Sequence, residues 1–439
     1  MNDTRVIELA AGLFTDAQAL KKTALDSTDA ATTRERILDV AFEIYNLLLD
    51  PAELLRTHAS HANLIALHFI QRFNIATIVP PDSGISYSAI ASSCGQLEQT
   101  VKRILRHAVG LQVFREEHPD PSSASGDILI HHTPASLLLR DPSYSAWMGA
   151  TCEESWPAAT RTVDALATFP AASEPTESGW ALAHSSPPFP TSSGAETPST
   201  LTTPRQSLYD AIASSPARAV RFSTGMSAYS SGPGYVPDHF ARARGDLLAR
   251  LAKGSKFVDV GGGFGHFVRA LSRQYRHVEF VVQDLPRVIS KAENPSGDLN
   301  GDAQKNGGND GHIVFQPHDF FKPQPVKGAA VYFLRWILHN WSDKYAIQIL
   351  QNIGQAMDEN SRLIIHDYCI DDLNKLSIRK RRAATNMDIG MMQLLNAQER
   401  DESEWRELLA KADNRFQWIG VTRPPGSALA IIEASWRNS

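Results

Sequence analysis

A run of glycines between residues 257 and 267, "FVDVGGGFGHF", constrains the fold of this chain more than any other feature. Its first residues are mostly apolar, which predicts a buried strand, and a helical pattern follows the glycines directly. Gly261, Gly263 and Gly265 allow the backbone to turn tightly and bring its N–H groups close to a ligand. The segment therefore predicts a strand, a turn and a helix, with a small anionic ligand bound at the turn.

After Gly254, short β-rich runs alternate with helical stretches. The runs are "KFVDVGG", "HVEFVVQD", "AAVYFLRWIL", "RLIIHDYCI" and "SALAIIEASW". Such alternation predicts an α/β fold, a Rossmann-like doubly wound parallel sheet with helices on both faces. In these sheets ligands bind beyond the carboxyl ends of the strands, where the strand order reverses.

The segment from Thr32 to about Arg115 is predicted to be helical, because apolar residues recur at spacings of three and four. Two short extended pieces follow, "LQVFREE" and "DILIHH". Helices followed by a small hairpin indicate a winged-helix-like domain, a shape that often binds DNA. The would-be recognition helix, "LEQTVKRILRHAVG", carries scattered charge on an apolar body. A mainly helical dimerisation domain is therefore the preferred interpretation.

Composition narrows the classes of partner. The 439 residues are 42% apolar, which is typical of a globular protein of about two domains. The net charge of −5 argues against nucleic acid and anionic membranes as binding partners. Only three cysteines occur, which favours a reducing compartment and a cytoplasmic location. The N-terminus shows no signal-peptide pattern, and no run of 18 apolar residues predicts a membrane span.

Two stretches have the composition of spacers. Residues 185–205 are rich in Pro, Ser and Thr and are predicted to be a disordered insertion, while residues 294–311 are dense in Gly, Asn and Asp and are predicted to be a loop. The predicted organisation is a dimerisation domain at 1–150, connecting helices with a substrate-pocket helix at 151–245, and a cofactor-binding catalytic domain at 246–439.

Three cofactor classes use a glycine turn of this kind. A phosphate-binding P-loop ends in Lys followed by Ser or Thr, but this turn ends in Gly265 and His266. The dinucleotide fingerprint requires Gly or Ala where His266 stands. Asp259 followed by alternating glycines instead resembles motif I of class I S-adenosylmethionine (SAM) methyltransferases, which implies contact with the methionine part of SAM.

Two further elements support the SAM interpretation. Asp284 closes the next strand, where a carboxylate can accept both ribose hydroxyls, although it could also cap the helix that begins at Pro286. Its neighbour Leu285 is included in the predicted cofactor site. Asp319 and Phe320 follow another strand-like segment and suit the adenine amino group and ring.

The segment "VYFLRWILHNWSD" places His339 just past the end of a buried strand. Asp367 and Glu399 follow later in the chain, and an imidazole flanked by carboxylates can take a proton from a hydroxyl near neutral pH. The alternative is a packed or capping histidine, which is the only interpretation for His318 and His366.

"LRWILHNWSD" resembles the corresponding segment of plant and fungal small-molecule O-methyltransferases, the caffeic acid, chalcone and isoflavone group. In that family this His is the general base and two later acidic residues orient it. The intervals of 28 residues from His339 to Asp367 and 32 from Asp367 to Glu399 match the family arrangement. The resemblance therefore implies these three roles for His339, Asp367 and Glu399.

The resemblance implies other contacts as well. Arg335 stands where the family has a basic residue near the cofactor. The acceptor pocket is expected to include Phe222, Met226, Trp336, Met391 and Leu395, with core packing as the alternative for Phe222 and Met226. The N-terminal domain is expected to interlock two subunits as a homodimer. Asn340 departs from the Asp usual in the family, but this change removes no proton-transfer group.

The hypothesis is a SAM-dependent O-methyltransferase that methylates a hydroxyl of an aromatic, polyketide or alkaloid secondary metabolite and releases S-adenosylhomocysteine (SAH). One alternative is a SAM-binding pericyclase of the same fold that transfers no methyl group. Another is a non-catalytic winged-helix regulator, which the net acidity disfavours. No residue spacing predicts a metal site.

Overall fold

The computed structural model describes residues 2–22, 28–119, 126–185, 205–293, 312–370 and 372–437. The predicted insertion at 185–205, apart from its two end residues, and the predicted loop at 294–311 lie outside the described residues. The chain divides into two compact units. The first comprises Met1–Trp156 and Asp371–Met387, and the second Pro157–Ile370 and Asp388–Ser439. The three-part division remains a prediction.

The first unit is mainly helical, as predicted. Its helices are α1 (Asn2–Lys22), α2 (Thr28–Leu48), α3 (Pro51–His58), α4 (Ala62–Arg72), α5 (Ile75–Ile78), α6 (Tyr87–Cys94), α7 (Glu98–Gly110), α8 (Pro134–Leu138) and α9 (Pro142–Ala150). Strands β1 (Ile85–Ser86), β2 (Phe114–Glu117) and β3 (Leu129–His132) form an antiparallel sheet in the order β1–β3–β2. The predicted hairpin is thus present, and the buried face of α7 packs into this unit's core.

The second unit contains a seven-stranded sheet in the order β6–β5–β4–β7–β8–β10–β9. Its strands are β4 (Lys256–Val260), β5 (Glu279–Asp284), β6 (Ile313–Pro317), β7 (Val331–Arg335), β8 (Arg362–Asp367), β9 (Phe416–Thr422) and β10 (Ala430–Trp436). The helices are α10 (Trp156–Thr168), which begins at the unit boundary, α11 (Gly179–Ser185), α12 (Leu208–Ser214), α13 (Pro216–Ser230), α14 (Pro237–Ala249), α15 (His266–Ser272), α16 (Pro286–Glu293), α17 (Asp343–Gly354), α18 (Ile378–Leu395), which crosses the unit boundary, and α19 (Glu402–Ala412).

Alternate residues of the central strands enter two different cores. On β7, Tyr332 and Leu334 join a cluster with α17 and α19, whereas Val331 and Phe333 join a cluster with α14 and α15. Both faces of the sheet are therefore covered by helices, which explains why these strands are nearly continuous apolar runs. The predicted Rossmann-like architecture is confirmed.

The sheet differs from the prediction at one edge. Strand β10 pairs antiparallel with both β8 and β9, whereas the sequence predicted parallel strands throughout. Only residues 423–429 connect β9 to β10, and a connection this short cannot provide the crossover that parallel neighbours need. Strand β9 was not predicted at all.

The parallel strands position the site. Strand β4 pairs in parallel with β5 and β7, and β7 pairs in parallel with β8. Their carboxyl ends therefore meet at one edge of the sheet. Asp284, Arg335 and Asp367 are the last residues of β5, β7 and β8, so this edge brings together residues that are distant in sequence.

The contact between α17 and β10 can be tested at Gly354. A Cβ added there would lie 2.7 Å from Cη2 of Trp436. Alanine favours a helix over glycine by about 1 kcal/mol, but overpacking a core costs about 1–3 kcal/mol. We expect Gly354→Ala to lower the free energy of unfolding in urea. The control is Gly390→Ala in α18, where a Cβ would meet no atom within 4 Å, and which should be neutral or stabilising. Stabilisation by Gly354→Ala would contradict this packing.

Candidate active site

His339 lies in a 3₁₀ turn, Leu338–Asn340, that follows β7 after two residues. The turn is sharp because Trp336 adopts a left-handed conformation with φ of 54°. The side-chain amide of Asn340 donates to the Trp336 carbonyl at 2.8 Å. This bond closes the turn around the buried His339, which lies between its two ends.

Two buried carboxylates meet the His339 ring. Nδ1 lies 2.8 Å from Oε1 of Glu399 and 3.7 Å from Oδ1 of Asp367. The backbone N–H of His339 also donates to Asp367 Oδ2 at 3.3 Å. A carboxylate partner requires the proton on Nδ1, which leaves the lone pair of the neutral ring on Nε2. The three predicted catalytic residues are therefore brought together.

Glu399 reaches the ring from the loop between α18 and α19. Its backbone N–H donates to Asp388 Oδ1 at 2.9 Å, which anchors the loop to α18. Asp401 starts α19 with a capping box that includes Glu404. Within the described residues, Oε2 of Glu399 is buried without a hydrogen-bond partner. Among the residues that the structure describes, this carboxylate therefore bonds His339 alone.

Opposing effects act on the His339 pKa. Burial lowers it, but the charge of Asp367 and the hydrogen bond and charge of Glu399 raise it, and the net direction is upward. Burial also raises the pKa of Asp367 to about 6, against the lowering effect of His339. The imidazolium is therefore favoured relative to an ordinary histidine, which makes the ring a stronger base.

The three donor atoms of His339, Asp367 and Glu399 lie within 4.8 Å of one another, so the set could also hold a divalent cation. The hydrogen bond between Nδ1 and Glu399 accounts for the same proximity without an ion.

The glycine turn fits a nucleoside ligand. Asp284 accepts from the N–H of Gly263 at 2.9 Å and of Leu285 at 2.8 Å, one bond to each carboxylate oxygen. Each oxygen keeps a lone pair that can accept from a ribose hydroxyl. Burial raises the pKa of Asp284, because the charged carboxylate loses water and its two backbone hydrogen bonds only partly replace that water. These bonds support the turn and leave the predicted ribose contact of Asp284 a prediction.

The glycines themselves show why the turn excludes side chains. A Cβ at Gly261 would lie 2.5 Å from Ile337 Cδ1, and one at Gly265 would lie 3.2 Å from Phe315. Gly263 also has positive φ, but a Cβ there would meet nothing within 4 Å. The turn is therefore packed against the core on one side and open at Gly263, which leaves room for a ligand.

The buried Asp259 packs against this turn, because its Oδ2 would lie 2.4 Å from a Cβ at Gly262, and its charge is felt by the half-buried Arg335. Burial raises the pKa of Asp259 to about 7, and the nearby Arg335 opposes that rise. Burial lowers the pKa of Arg335 to about 10, opposed by Asp259 and Asp367. The charges of both Asp259 and Asp367 therefore act on Arg335. Its Nη2 donates to the Tyr235 carbonyl at 2.7 Å, while Nε has no partner among the described residues.

The predicted adenine residues lie close to the same turn. Phe320 Cε1 would be 3.7 Å from a Cβ at Gly261, and its ring packs edge-on against Trp341. Asp319 Oδ1 accepts from the Phe321 N–H at 2.9 Å, which shapes the loop after β6. Both positions are consistent with contacts to a base bound at the turn.

The predicted acceptor residues fall into separate groups. Phe222, Met391 and Leu395 belong to one apolar cluster with Tyr209. Met226 is half-buried one turn after Phe222 on α13. Trp336 lies apart from this cluster, against Tyr235, at 5.1 Å between ring centroids.

Sequence reasoning missed several aromatic residues at the site. Tyr209 stacks on Trp341 at 5.9 Å and contacts Phe222 edge-on. Tyr235 and Tyr368 join their hydroxyls at 2.5 Å, and the Tyr368 ring lies 6.3 Å from His339. Trp341 and Tyr368 could have been suspected, because they lie within two residues of His339 and Asp367. No local pattern distinguishes Tyr209 and Tyr235.

Comparison with known proteins agrees with this geometry. A model of the O-methyltransferase domain matches residues 202–415. The chlorophenol O-methyltransferase of Trichoderma longibrachiatum is 33% identical, over 92% of this chain and 80% of that protein. The chain belongs to the O-methyltransferase family. O-methyltransferase kk1A of Curvularia clavata is 31% identical, over 99% of this chain and 98% of the relative.

Solved structures show the same fold. OxaC in complex with SAH and oxaline aligns with a TM-score of 0.76 and 20% identity, over 100% of both chains. LepI in complex with SAM aligns with a TM-score of 0.72 and 24% identity, over 99% of this chain and 100% of that one. This O-methyltransferase is a SAM-dependent enzyme, as predicted. Within the described residues, no helix has the length and apolar content needed to cross a membrane.

The electrostatics of the site yield a prediction for Glu399. Its charge and hydrogen bond both raise the pKa of His339, so Glu399→Gln should lower that pKa. Histidine-labelled protein titrated by NMR, with the His339 signal assigned from His339→Ala, measures the change. The control is Glu402→Gln on the exposed start of α19, which should leave the titration unchanged. An unchanged or raised pKa in Glu399→Gln would show that Glu399 does not set the charge of the ring.

Proposed function

We propose that this O-methyltransferase methylates a hydroxyl group of an aromatic secondary metabolite, with His339 as the general base. The hydrogen bond from Nδ1 of His339 to Glu399 carries the proposal, because it leaves Nε2 as the atom able to accept a proton. The aromatic side chains of Tyr209, Phe222 and Trp341 pack on one another and supply flat apolar surface of the kind that an aromatic acceptor would contact. A relative named for chlorophenol supports the same class of acceptor. Polyketide and alkaloid scaffolds remain within this class.

The roles of the residues follow from their positions. The cofactor would be held by the turn at Gly261–Gly265 together with Asp284, Asp319 and Phe320. The residues around this cofactor site are Asp259, Leu285 and Arg335. When bound, SAM supplies a methyl group that its sulfonium already activates for displacement. His339 removes the acceptor proton, and Asp367 and Glu399 stabilise the imidazolium that forms. The protein therefore contributes two things to the reaction, the positioning of the acceptor hydroxyl next to the methyl group and one general base.

The raised pKa of His339 sets the direction of the pH dependence. A base must be deprotonated before it acts, so kcat should rise with pH through an apparent pKa above the ordinary histidine value of about 6.5. Below that pH the protonated ring cannot accept the acceptor proton.

The proposal is tested with SAM labelled in its methyl carbon and a panel of chlorinated and polyhydroxylated phenols. Label should appear in the product with wild-type protein. His339→Ala should reduce labelling by at least about 100-fold, within the range typical of a general base. SAM binding, measured by calorimetry, should stay within about threefold of wild type because the ring lies outside the glycine turn. His339→Ala with wild-type labelling would remove the residue from this role.

A second candidate is the pericyclic activity suggested by the solved structure titled "A Pericyclic Reaction enzyme", which aligns with a TM-score of 0.72. The same experiment separates the two functions. Conversion of an acceptor without incorporation of label supports the pericyclase, whereas labelled product supports the transferase. Assembly of His339, Asp367 and Glu399 favours the transferase.

We also propose a homodimer formed through the N-terminal domain. Helices α1 and α2 pack together through Arg5–Glu43 and Arg36–Asp16 ion pairs. They nevertheless expose large apolar side chains, namely Ile7, Phe14, Leu38, Tyr45 and Leu48. A second copy would cover this surface. The cytoplasmic location remains part of the proposal and rests on the low cysteine content.

The dimer proposal predicts that Phe14→Glu shifts the protein from dimer to monomer in light scattering, because the side chain is 65% exposed in the single chain. The control is Val163→Glu on α10, at a position that is 75% exposed, which should leave the mass unchanged. A dimeric Phe14→Glu or a monomeric wild type would contradict this interface.

A further inference from the structure

Arg400 is a fully buried cation in the loop that also carries Glu399. Its Nη1 donates to the Leu338 carbonyl at 3.1 Å, and its Nη2 donates to the Trp341 carbonyl at 3.0 Å. Nε and Nη2 bond Asp343 Oδ1 at 3.1 and 2.8 Å. The guanidinium lies over the Trp405 ring, 5.2 Å from its centroid. Such a set of partners is expected for arginine, whose planar fork bonds several acceptors at once.

These partners enclose the base. Leu338 directly precedes His339 and Trp341 follows it by two residues, so Arg400 binds carbonyls on both sides of the ring-bearing turn. Asp343 begins α17, which connects the turn to the sheet core. Since Arg400 adjoins Glu399 in the backbone, a single side chain links the turn that carries His339 to the loop that carries its hydrogen-bond partner.

Arg400 also contributes charge. Within the described part of the chain, His339 is faced by Asp367 from β8, by Tyr368 directly after that strand, and by Glu399 and Arg400 from the loop before α19. The carboxylates raise the pKa of His339 and the Arg400 cation lowers it. Arg400 therefore limits how far the two acids shift the ring toward its protonated form.

We propose that Arg400 is a positioning residue for this reaction, because its guanidinium holds the turn of His339 at a fixed distance from Glu399. The inference rests on the proposed role of His339 as the base. It concerns the placement of the ring, since Arg400 itself contacts backbone carbonyls and Asp343 and not the reacting atoms.

Two substitutions separate placement from charge. Arg400→Lys keeps a positive charge, but a single ammonium cannot bond both carbonyls and Asp343 with the same geometry. Arg400→Met removes the charge as well. The matched control is Arg415→Met, since Arg415 also lies over a tryptophan ring, Trp436 at 4.4 Å, and pairs with an aspartate, Asp413, at 2.6 Å. Each variant is assayed with labelled SAM and the phenol that wild type methylates fastest.

A displaced base should reduce kcat, with a loss of about 100-fold expected for Arg400→Met. The KM for the phenol and the Kd for SAM should stay within about threefold of wild type. Arg400→Lys should show a smaller loss of kcat. By NMR, His339 should titrate at lower pH in Arg400→Lys, because the ring moves away from Glu399 while the positive charge remains. Arg415→Met should match wild type in kcat and in titration.

Several outcomes would overturn the inference. Wild-type kcat in either Arg400 variant would show that the fork is not needed, and Arg400→Lys decides the question if Arg400→Met does not fold. If Arg400→Lys loses both SAM binding and kcat, Arg400 has a general structural role and does not specifically position His339. An active His339→Ala would instead refute the base itself, so failure of the proposed function is distinguishable from failure of this inference.

Discussion

The hydrogen bond between His339 Nδ1 and Glu399 Oε1 joins two buried side chains that lie 60 residues apart in the chain. Burying an imidazole and two carboxylates is costly unless the groups are paired, since each loses its solvation. Here the second oxygen of Glu399 bonds nothing among the described residues, and Asp367 also supports the backbone of His339. The arrangement selects the ring tautomer with the lone pair on Nε2, and the chemistry proposed for the site depends on that selection.

The parallel strands of the sheet bring Asp367 and Arg335 to the site. Asp367 and Arg335 end neighbouring parallel strands, so both lie at the edge where the glycine turn after β4 is found. Arg335 lies close enough to both Asp259 and Asp367 for each to raise its pKa against the effect of burial. The charge of Arg335 is therefore shared between Asp259 next to the glycine turn and Asp367 next to His339.

Asn340 shows how a departure from a family pattern can be accommodated. Its amide donates to the carbonyl of Trp336, a non-glycine residue in the left-handed region with φ of 54°. An ionised aspartate only accepts hydrogen bonds and could not make this contact. The amide therefore stabilises the strained turn that contains His339, which gives Asn340 a structural role that involves no proton transfer.

The sequence alone determined the features that depend on local chemistry. The glycines at 261, 263 and 265, the alternation of strands and helices, and the position of His339 after a buried strand all follow from residue type and short spacings. The local sequence did not predict the antiparallel β9–β10 edge, or Tyr209 and Tyr235 at the site, because their positions depend on contacts made across the fold.

Only the tertiary structure decided which oxygens face the His339 ring and which cation holds its turn. Glu399 and Arg400 are adjacent in sequence, yet one bonds the imidazole and the other bonds the carbonyls around it. Sequence spacing can indicate that an acid and a base belong to one site, but it does not show in which direction each side chain points. The direction of each side chain is set by the packing of α18, α19 and the sheet edge, where removal of water makes each hydrogen bond decisive.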